Sequence, residues 1–269
     1  MASAGNLTKR ILSALVLAPI AVGAIYLGGT AYLCLILLTV LVAQAEWMRL
    51  VAPGAVIWIH VAAFAALILE AVATLFFGFL TGVGVIVGAS LLIVSLVRLT
   101  RAAGARRIAL GVLYIGATMA ATLWLRDLPE IGLGLTCFLF GSVWATDMGA
   151  YAAGRAIGGP KLAPRLSPNK TWAGLIGGMI AAAVAGFLIA MVFDAGLRFV
   201  AAAVASVLAV IAQSGDLFES AMKRRAGVKD SGTLIPGHGG VLDRIDGLMA
   251  AAPVLAIWQL AVGDRLGWW

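Results

Sequence analysis

The strongest constraint on this chain is its succession of apolar runs, each roughly 17–23 residues long and separated by short polar breaks. A run of that length spans the hydrocarbon core of a bilayer as a helix. Nine such runs are predicted, at 11–28, 30–46, 56–76, 79–97, 108–125, 131–153, 172–193, 197–215 and 247–263. The third and fourth form one tract too long for a single helix, so a break is placed at Gly78 and Thr81-Gly82-Val83-Gly84. With 62% hydrophobic and 12% charged residues, the 269-residue chain has too little polar surface to be a soluble, disordered or fibrous protein. The runs are apolar all round rather than alternating, which argues against an outer-membrane barrel. The expected fold class is therefore an all-α polytopic membrane protein with about nine transmembrane helices.

Lys9-Arg10 before the first run imitates a secretory signal. The run is long for a signal and further spans follow at once, so an uncleaved span is expected. Cys34 and Cys137 each stand alone in apolar sequence, which gives neither a zinc site nor a disulfide framework.

Basic residues set the orientation. With the N-terminus cytoplasmic and nine crossings, one set of loops holds all 19 lysines and arginines except Arg126, Arg198 and Arg265. The net charge of +7 is then a charge on the cytoplasmic face, suited to anionic headgroups or phosphorylated solutes. Four N-terminal spans within 1–107 are expected to precede a catalytic region of about five spans at 108–269, with site loops at 154–171 and 216–246.

Polarity concentrates in two of these cytoplasmic segments, Tyr151–Trp172 and Gln213–Gly247. The second holds Asp216, Glu219, Asp230, Asp243 and Asp246, five of the chain's 12 acidic residues. Continued as a helix, Asp216, Glu219, Ser220 and Lys223 share one face, as do Asp243 and Asp246 at the start of the last span. Carboxylates converging from two helix ends suit a hard cation such as Mg²⁺, which keeps waters and substrate phosphates among its ligands. A salt-bridge network with Lys223, Arg224 and Arg244 is the alternative. The turn Pro236-Gly237-His238-Gly239-Gly240 lets backbone N–H groups approach a phosphate next to a helix N-terminus. Asp147 lies inside an apolar run, where an ionisable group is a functional candidate by default. Gly149, Ala150, Ala153 and Gly154 beside it allow another helix to come close. Glu70 and His60 are expected to be structural.

The second segment resembles the signature of the phosphatidate cytidylyltransferases (CDP-diacylglycerol synthases). That resemblance rests on Ser220-Ala221-Met222-Lys223-Arg224, Lys229-Asp230, Pro236-Gly237-His238-Gly239-Gly240 and Asp243-Arg244-Ile245-Asp246, preceded by Gly215-Asp216-Leu217-Phe218-Glu219. The first segment is similar to the family as well, through Asp147-x-Gly-Ala-Tyr, Gly154-Arg155, Lys161-Leu162 and Ser167-Pro168-Asn169-Lys170-Thr171-Trp172. One departure is Ala173, where the family usually carries Glu or Gln.

The resemblance implies Mg²⁺-dependent attack of the phosphate of phosphatidic acid on the α-phosphorus of CTP, giving CDP-diacylglycerol and pyrophosphate. It implies Asp216, Asp243 and Asp246 as metal ligands, with a second cation as an option. Lys223, Lys229, His238 and Arg244 join them as catalytic residues. Asp147, Lys161, Ser167, Lys170, Thr171, Ser220, Arg224, Gly239 and Gly240 are the expected substrate-binding set. CTP, phosphatidic acid and membrane lipid are the expected partners, with no nucleic acid and with a homodimer left open. The implied location is the bacterial inner membrane. A CTP-dependent polyprenol kinase and a transporter for anionic solutes are the rival readings. The kinase needs a general base and yields CDP. A transporter usually carries its ionisable residues near the midplane of repeated halves, whereas here they cluster at one face.

Overall fold

The computed structural model describes residues 4–99, 104–235 and 239–269. Among these, the chain is all-α apart from one small hairpin. The long helices are α1 (Ala4–Leu27), α2 (Gly29–Val51), α3 (Ile57–Phe77), α4 (Phe79–Leu99), α5 (Ala105–Asp127), α6 (Gly132–Ala156), α7 (Trp172–Val192), α8 (Arg198–Arg225) and α9 (Leu242–Trp258). A π-helical turn, Gln259–Gly263, and a short α10, Asp264–Leu266, end the chain. Strands β1 (Lys161–Ala163) and β2 (Ser167–Thr171) pair antiparallel, with Lys161 opposite Thr171 and Ala163 opposite Ser167. The protein is thus a multi-pass membrane protein.

Each of the nine expected spans has its helix, and length and composition mark seven of them as able to cross a bilayer. Among the described residues seven helices are long and apolar enough to cross a bilayer: α2, α3, α4, α5, α7, α8 and α9 with its π-helical extension. In α1 the apolar helical stretch is the shorter Leu15–Leu27. Helix α6 has the length but is interrupted by Asp147 and Arg155. Lipid-facing positions on the spans are apolar, with Phe76, Leu91 and Ile180 all more than half exposed, as a helix facing acyl chains requires. The break between α3 and α4 falls where expected. Gly78 adopts φ 85°, a left-handed conformation that costs glycine nothing.

The chain forms two compact units, residues 1–127 with 222–245, and residues 128–221 with 246–269. Helix α5 packs against α2, α3 and α4. In that first unit α5 is the core helix, with 72% of its apolar window buried. Trp47 lies over Gly111 and donates its Nε1–H to the carbonyl of Arg107 at 2.9 Å. Arg126 donates Nε–H to the carbonyl of Ile25 at 2.8 Å, satisfying an orphan acceptor at the end of α1.

In the second unit the small residues singled out in the sequence make the α6–α7 interface. A Cβ on Gly149 would stand 2.6 Å from the carbonyl oxygen of Gly177, and one on Gly178 would stand 3.0 Å from that of Thr146. The two backbones therefore touch, which only glycine at these positions permits. The C-terminal Trp268 is fully buried and donates to Gln259 Oε1 at 2.9 Å, with its ring edge-on to Phe138.

Candidate functional site

Thr171 ends β2 and caps α7. Its hydroxyl oxygen accepts from the Gly174 N–H at 3.0 Å, so Thr-Trp in the sequence marks a helix start as well as a motif. The residue before it, Lys170, extends its ammonium to Asp216 Oδ2 at 2.5 Å and donates to Gln213 Oε1 at 2.8 Å, both on α8. Asp216 is a third exposed, and Ser220 Oγ–H donates to its Oδ1 at 3.3 Å from the next turn. These groups open onto a cavity of about 510 Å³ whose wall includes Asp147, Tyr151, Arg155, Lys170, Thr171 and Asp216. Arg155 is braced by the Tyr151 hydroxyl at 3.0 Å. Of the residues expected here, Lys161 and Ser167 lie on the hairpin and do not line the cavity.

Asp246, on α9, belongs to the same unit. Its carboxyl group is within hydrogen-bonding reach of Glu219, and the charges of Asp216 and Asp147 bear on it. Ionised carboxylates carry no donor, so two in such contact share a proton or a cation. Among the described residues no group of three or more His, Cys, Asp or Glu converges closely enough to hold a metal by protein ligands alone. Asp216 and Asp246 are oxygen donors of the kind Mg²⁺ takes, and that ion is usually bound through one or two carboxylates, with waters and phosphates completing its shell.

Other signature residues form a constellation within the first unit. Lys223, near the end of α8, pairs with Asp243 Oδ1 at 2.6 Å, the two side chains being 10% and 5% exposed. The other oxygen of Asp243 accepts from the Gly240 N–H at 2.8 Å and the Ser231 N–H at 2.9 Å. Ser231 Oγ lies 2.9 Å from the same oxygen. Gly240 is thus held against the first turn of α9, and the Ile235 N–H donates to the Gly239 carbonyl at 2.9 Å. Gly239 has φ 86°, and a Cβ there would stand 2.9 Å from Asp243 Oδ2. His238, with Pro236 and Gly237, lies outside the described residues. Lys229 and Arg244 are exposed, and Arg224 is exposed with one N–H given to the Val228 carbonyl at 2.9 Å. Both constellations therefore carry an acid–lysine pair, and the one in the first unit leaves cations of the signature on the surface.

One buried acid in this constellation has no place in the sequence motifs. Glu46 of α2 is 3% exposed, and its carboxylate accepts from the Leu242 N–H at 2.8 Å and the Val241 N–H at 3.1 Å. Its signal in the sequence was a lone carboxylate at the end of an apolar run, which is a functional candidate on that ground alone. Tyr151, Arg155 and Gln213 were also missing from the expected site.

The sequence pattern of the cytidylyltransferase family matches residues 8–261. The chain is 40% identical over 260 residues to the phosphatidate cytidylyltransferase of Brucella suis biovar 1 (strain 1330), an alignment covering 94% of this chain and 93% of that one. Over 141 residues it is 49% identical to the phosphatidate cytidylyltransferase of Haemophilus influenzae, covering 50% and 48%. Over 149 residues it is 39% identical to that of Bacillus subtilis, covering 55% of each chain.

Proposed function

The chain belongs to the cytidylyltransferase family, and from that premise we propose that it makes CDP-diacylglycerol and pyrophosphate from CTP and phosphatidic acid. The observation that carries the reading is the cavity of the second unit, where Lys170 and Arg155 stand among Asp147 and Asp216 in an otherwise apolar, membrane-spanning chain. Such a lining suits a polyanion accompanied by a cation.

The nucleophile is a phosphate monoester, whose second pKa is about 6, so it reaches neutral pH largely as the dianion. One of its oxygens forms the bond to the α-phosphorus of CTP. The bond from that phosphorus to the bridging oxygen breaks, and the electron pair leaves with pyrophosphate. No proton has to be removed, so no general base is required. What the protein must provide is alignment of two polyanions and positive charge where negative charge accumulates.

Lys170 and Arg155 supply that charge in the cavity of the second unit, and Arg224, Lys229 and Arg244 are the exposed cations that the signature adds on the first. Asp216 and Asp246 would hold Mg²⁺, and Asp147 would orient the site or a second cation. Bound there, the metal would offset the charge developing on the leaving pyrophosphate. Asp243 is better placed as the organiser of the turn, since Lys223, Gly240 and Ser231 already fill its acceptor positions. His238 then serves as a phosphate donor or turn-former rather than a base.

The location we infer is the bacterial inner membrane, crossed nine times, with the N-terminus and the site on the cytoplasmic side. Lipid enters from the leaflet and CTP from the cytosol. Purified protein in detergent, given CTP, phosphatidic acid and Mg²⁺, should release pyrophosphate and CDP-diacylglycerol in equal amounts. Release of CDP with a polyprenol acceptor, or no turnover of either pair, would remove the proposal.

A further inference from the structure

Glu46 lies in the N-terminal half, where no motif points to chemistry, yet its carboxylate meets the signature segment nearly 200 residues later in the chain. The first N–H groups of a helix have no partner within it. Glu46 Oε2 accepts from the Leu242 N–H at 2.8 Å and Oε1 from the Val241 N–H at 3.1 Å, where α9 begins. A negative charge at that end is also favoured by the helix dipole. Ser231 Oγ lies 3.2 Å from Glu46 Oε2 and 2.9 Å from Asp243 Oδ2, so its single proton serves either acid. Glu46 and Asp243 thus grip the same turn from two directions.

The glycines of the segment provide a second, steric observation. A Cβ on Gly240 would stand 2.5 Å from Glu46 Oε2, and one on Gly232 would stand 2.5 Å from Glu46 Oε1. Gly240 has an unexceptional φ, so its need for glycine comes from the approach of Glu46 together with Ser231. That accounts for a signature glycine that a phosphate-binding turn alone does not require.

From these contacts we infer that Glu46 is a positioning residue for the cytidylyl transfer: it fixes the start of α9 and the turn before it, and thereby the placement of Asp243 and Arg244. The inference rests on the activity proposed above. A glutamine fits the same space but has one acceptor oxygen where Glu46 offers two. Its NH₂ group would face either the Leu242 or the Val241 N–H, donor against donor.

The test compares wild type, Glu46→Gln and Glu46→Asp in detergent by three readouts. These are turnover of CTP with phosphatidic acid, thermal midpoint, and amide hydrogen exchange of peptides from 228–246 and from α3–α5. Glu46→Gln should lower kcat by about 10- to 100-fold, the range for losing a hydrogen bond to a buried charged acceptor, with the KM for CTP changed less than threefold. Exchange should quicken in 228–246 and stay unchanged in α3–α5. Glu46→Asp should restore at least part of both losses. Turnover within twofold of wild type in Glu46→Gln overturns the inference. So does exchange that quickens equally in α3–α5 with a collapsed midpoint, which would make Glu46 a general stabiliser. If wild type itself does not turn over CTP and phosphatidic acid, the proposed activity fails, while local exchange still decides whether Glu46 holds the turn.

Discussion

Replacing Asp243 by Asn removes one charge and alters little else in shape, so its consequences can be worked out from four contacts. Oδ2 accepts from the Gly240 N–H, the Ser231 N–H and, in part, the Ser231 hydroxyl, and Oδ1 faces the Lys223 ammonium at 2.6 Å. An asparagine oxygen placed where Oδ2 was keeps the three neutral donors. The asparagine NH₂ then points at an ammonium that is 10% exposed. The reverse rotamer rescues the lysine and sets the NH₂ against two backbone N–H groups, which is worse. Removing one partner of a buried pair costs about 3–5 kcal/mol. Lys223 has a further interaction and the neutral donors keep their acceptor, so the lower end, about 3 kcal/mol, is expected.

At 1.36 kcal/mol per decade that is about two orders of magnitude in the equilibrium holding the turn closed. In a chain of this length it lowers the thermal midpoint by roughly 6–12 °C. The eight tryptophans make intrinsic fluorescence in micelles a convenient probe. Lys223→Met removes the uncompensated cation, so the double variant should recover about 1 kcal/mol or more relative to Asp243→Asn. The coupling energy of the cycle should be about 2 kcal/mol, well above the 0.3–0.5 kcal/mol expected of independent sites. Additive losses, or an Asp243→Asn midpoint within 2 °C of wild type, would refute the reasoning. Turnover should fall at least 100-fold in Asp243→Asn without a change in the Mg²⁺ concentration giving half-maximal rate.

Asp216→Asn and Asp246→Asn should behave in the opposite way, with the Mg²⁺ concentration for half-maximal rate rising at least about tenfold and the midpoint nearly constant. An unchanged Mg²⁺ curve in either variant takes that residue out of the metal site. Gly177→Leu drives a side chain into Ala153 and toward the Gly149 carbonyl, 3.0 Å from its Cβ, so the α6–α7 interface should lose about 1–3 kcal/mol, read as a lowered midpoint. A midpoint equal to wild type would show that the two helices do not depend on this approach. Single cysteines at Thr81 and Asp194 in a cysteine-free background should react with a membrane-impermeant reagent from the periplasm, and those at Arg165 and Arg225 should not. Labelling at Arg225 from outside would invert the orientation.

Helix boundaries were legible where local chemistry dictates them. Gly78 stops α3 because glycine tolerates φ 85° there, and Thr171 starts α7 because its hydroxyl serves the Gly174 N–H. The α8 reading also held, since Asp216 and Ser220 meet one turn apart. The hairpin at Lys161–Thr171 was missed, because Pro160, Pro164 and Pro168 break helical periodicity without announcing a strand. Among the described residues seven of the nine expected spans are long and apolar enough to cross a bilayer; in α6 Asp147 and Arg155 interrupt an otherwise sufficient apolar run. The pairing of Glu46 was illegible for a different reason: its partners are separated from it by 185 residues and more, and no periodicity in a single sequence reports such a contact.

The signature therefore mixes two kinds of residue that a motif cannot separate. Gly239 supplies a positive φ, Gly240 supplies the absence of a Cβ, and Asp243 with Lys223 ties the turn to α8. These contacts fold the segment and use up the polar groups that make them. Lys229, Arg224 and Arg244 retain exposed charge, and they are the members of the motif able to meet a phosphate directly. A buried, paired ammonium must first leave its carboxylate to bind a substrate oxygen, and it would forfeit much of the gain in doing so. Neutralising an exposed cation should thus weaken substrate binding and leave the fold alone. Neutralising Lys223 should disturb the turn, and turnover with it, through stability. The same reaction can be lost by either route, so activity alone cannot sort the motif, and thermal midpoint and Mg²⁺ dependence must be read beside it.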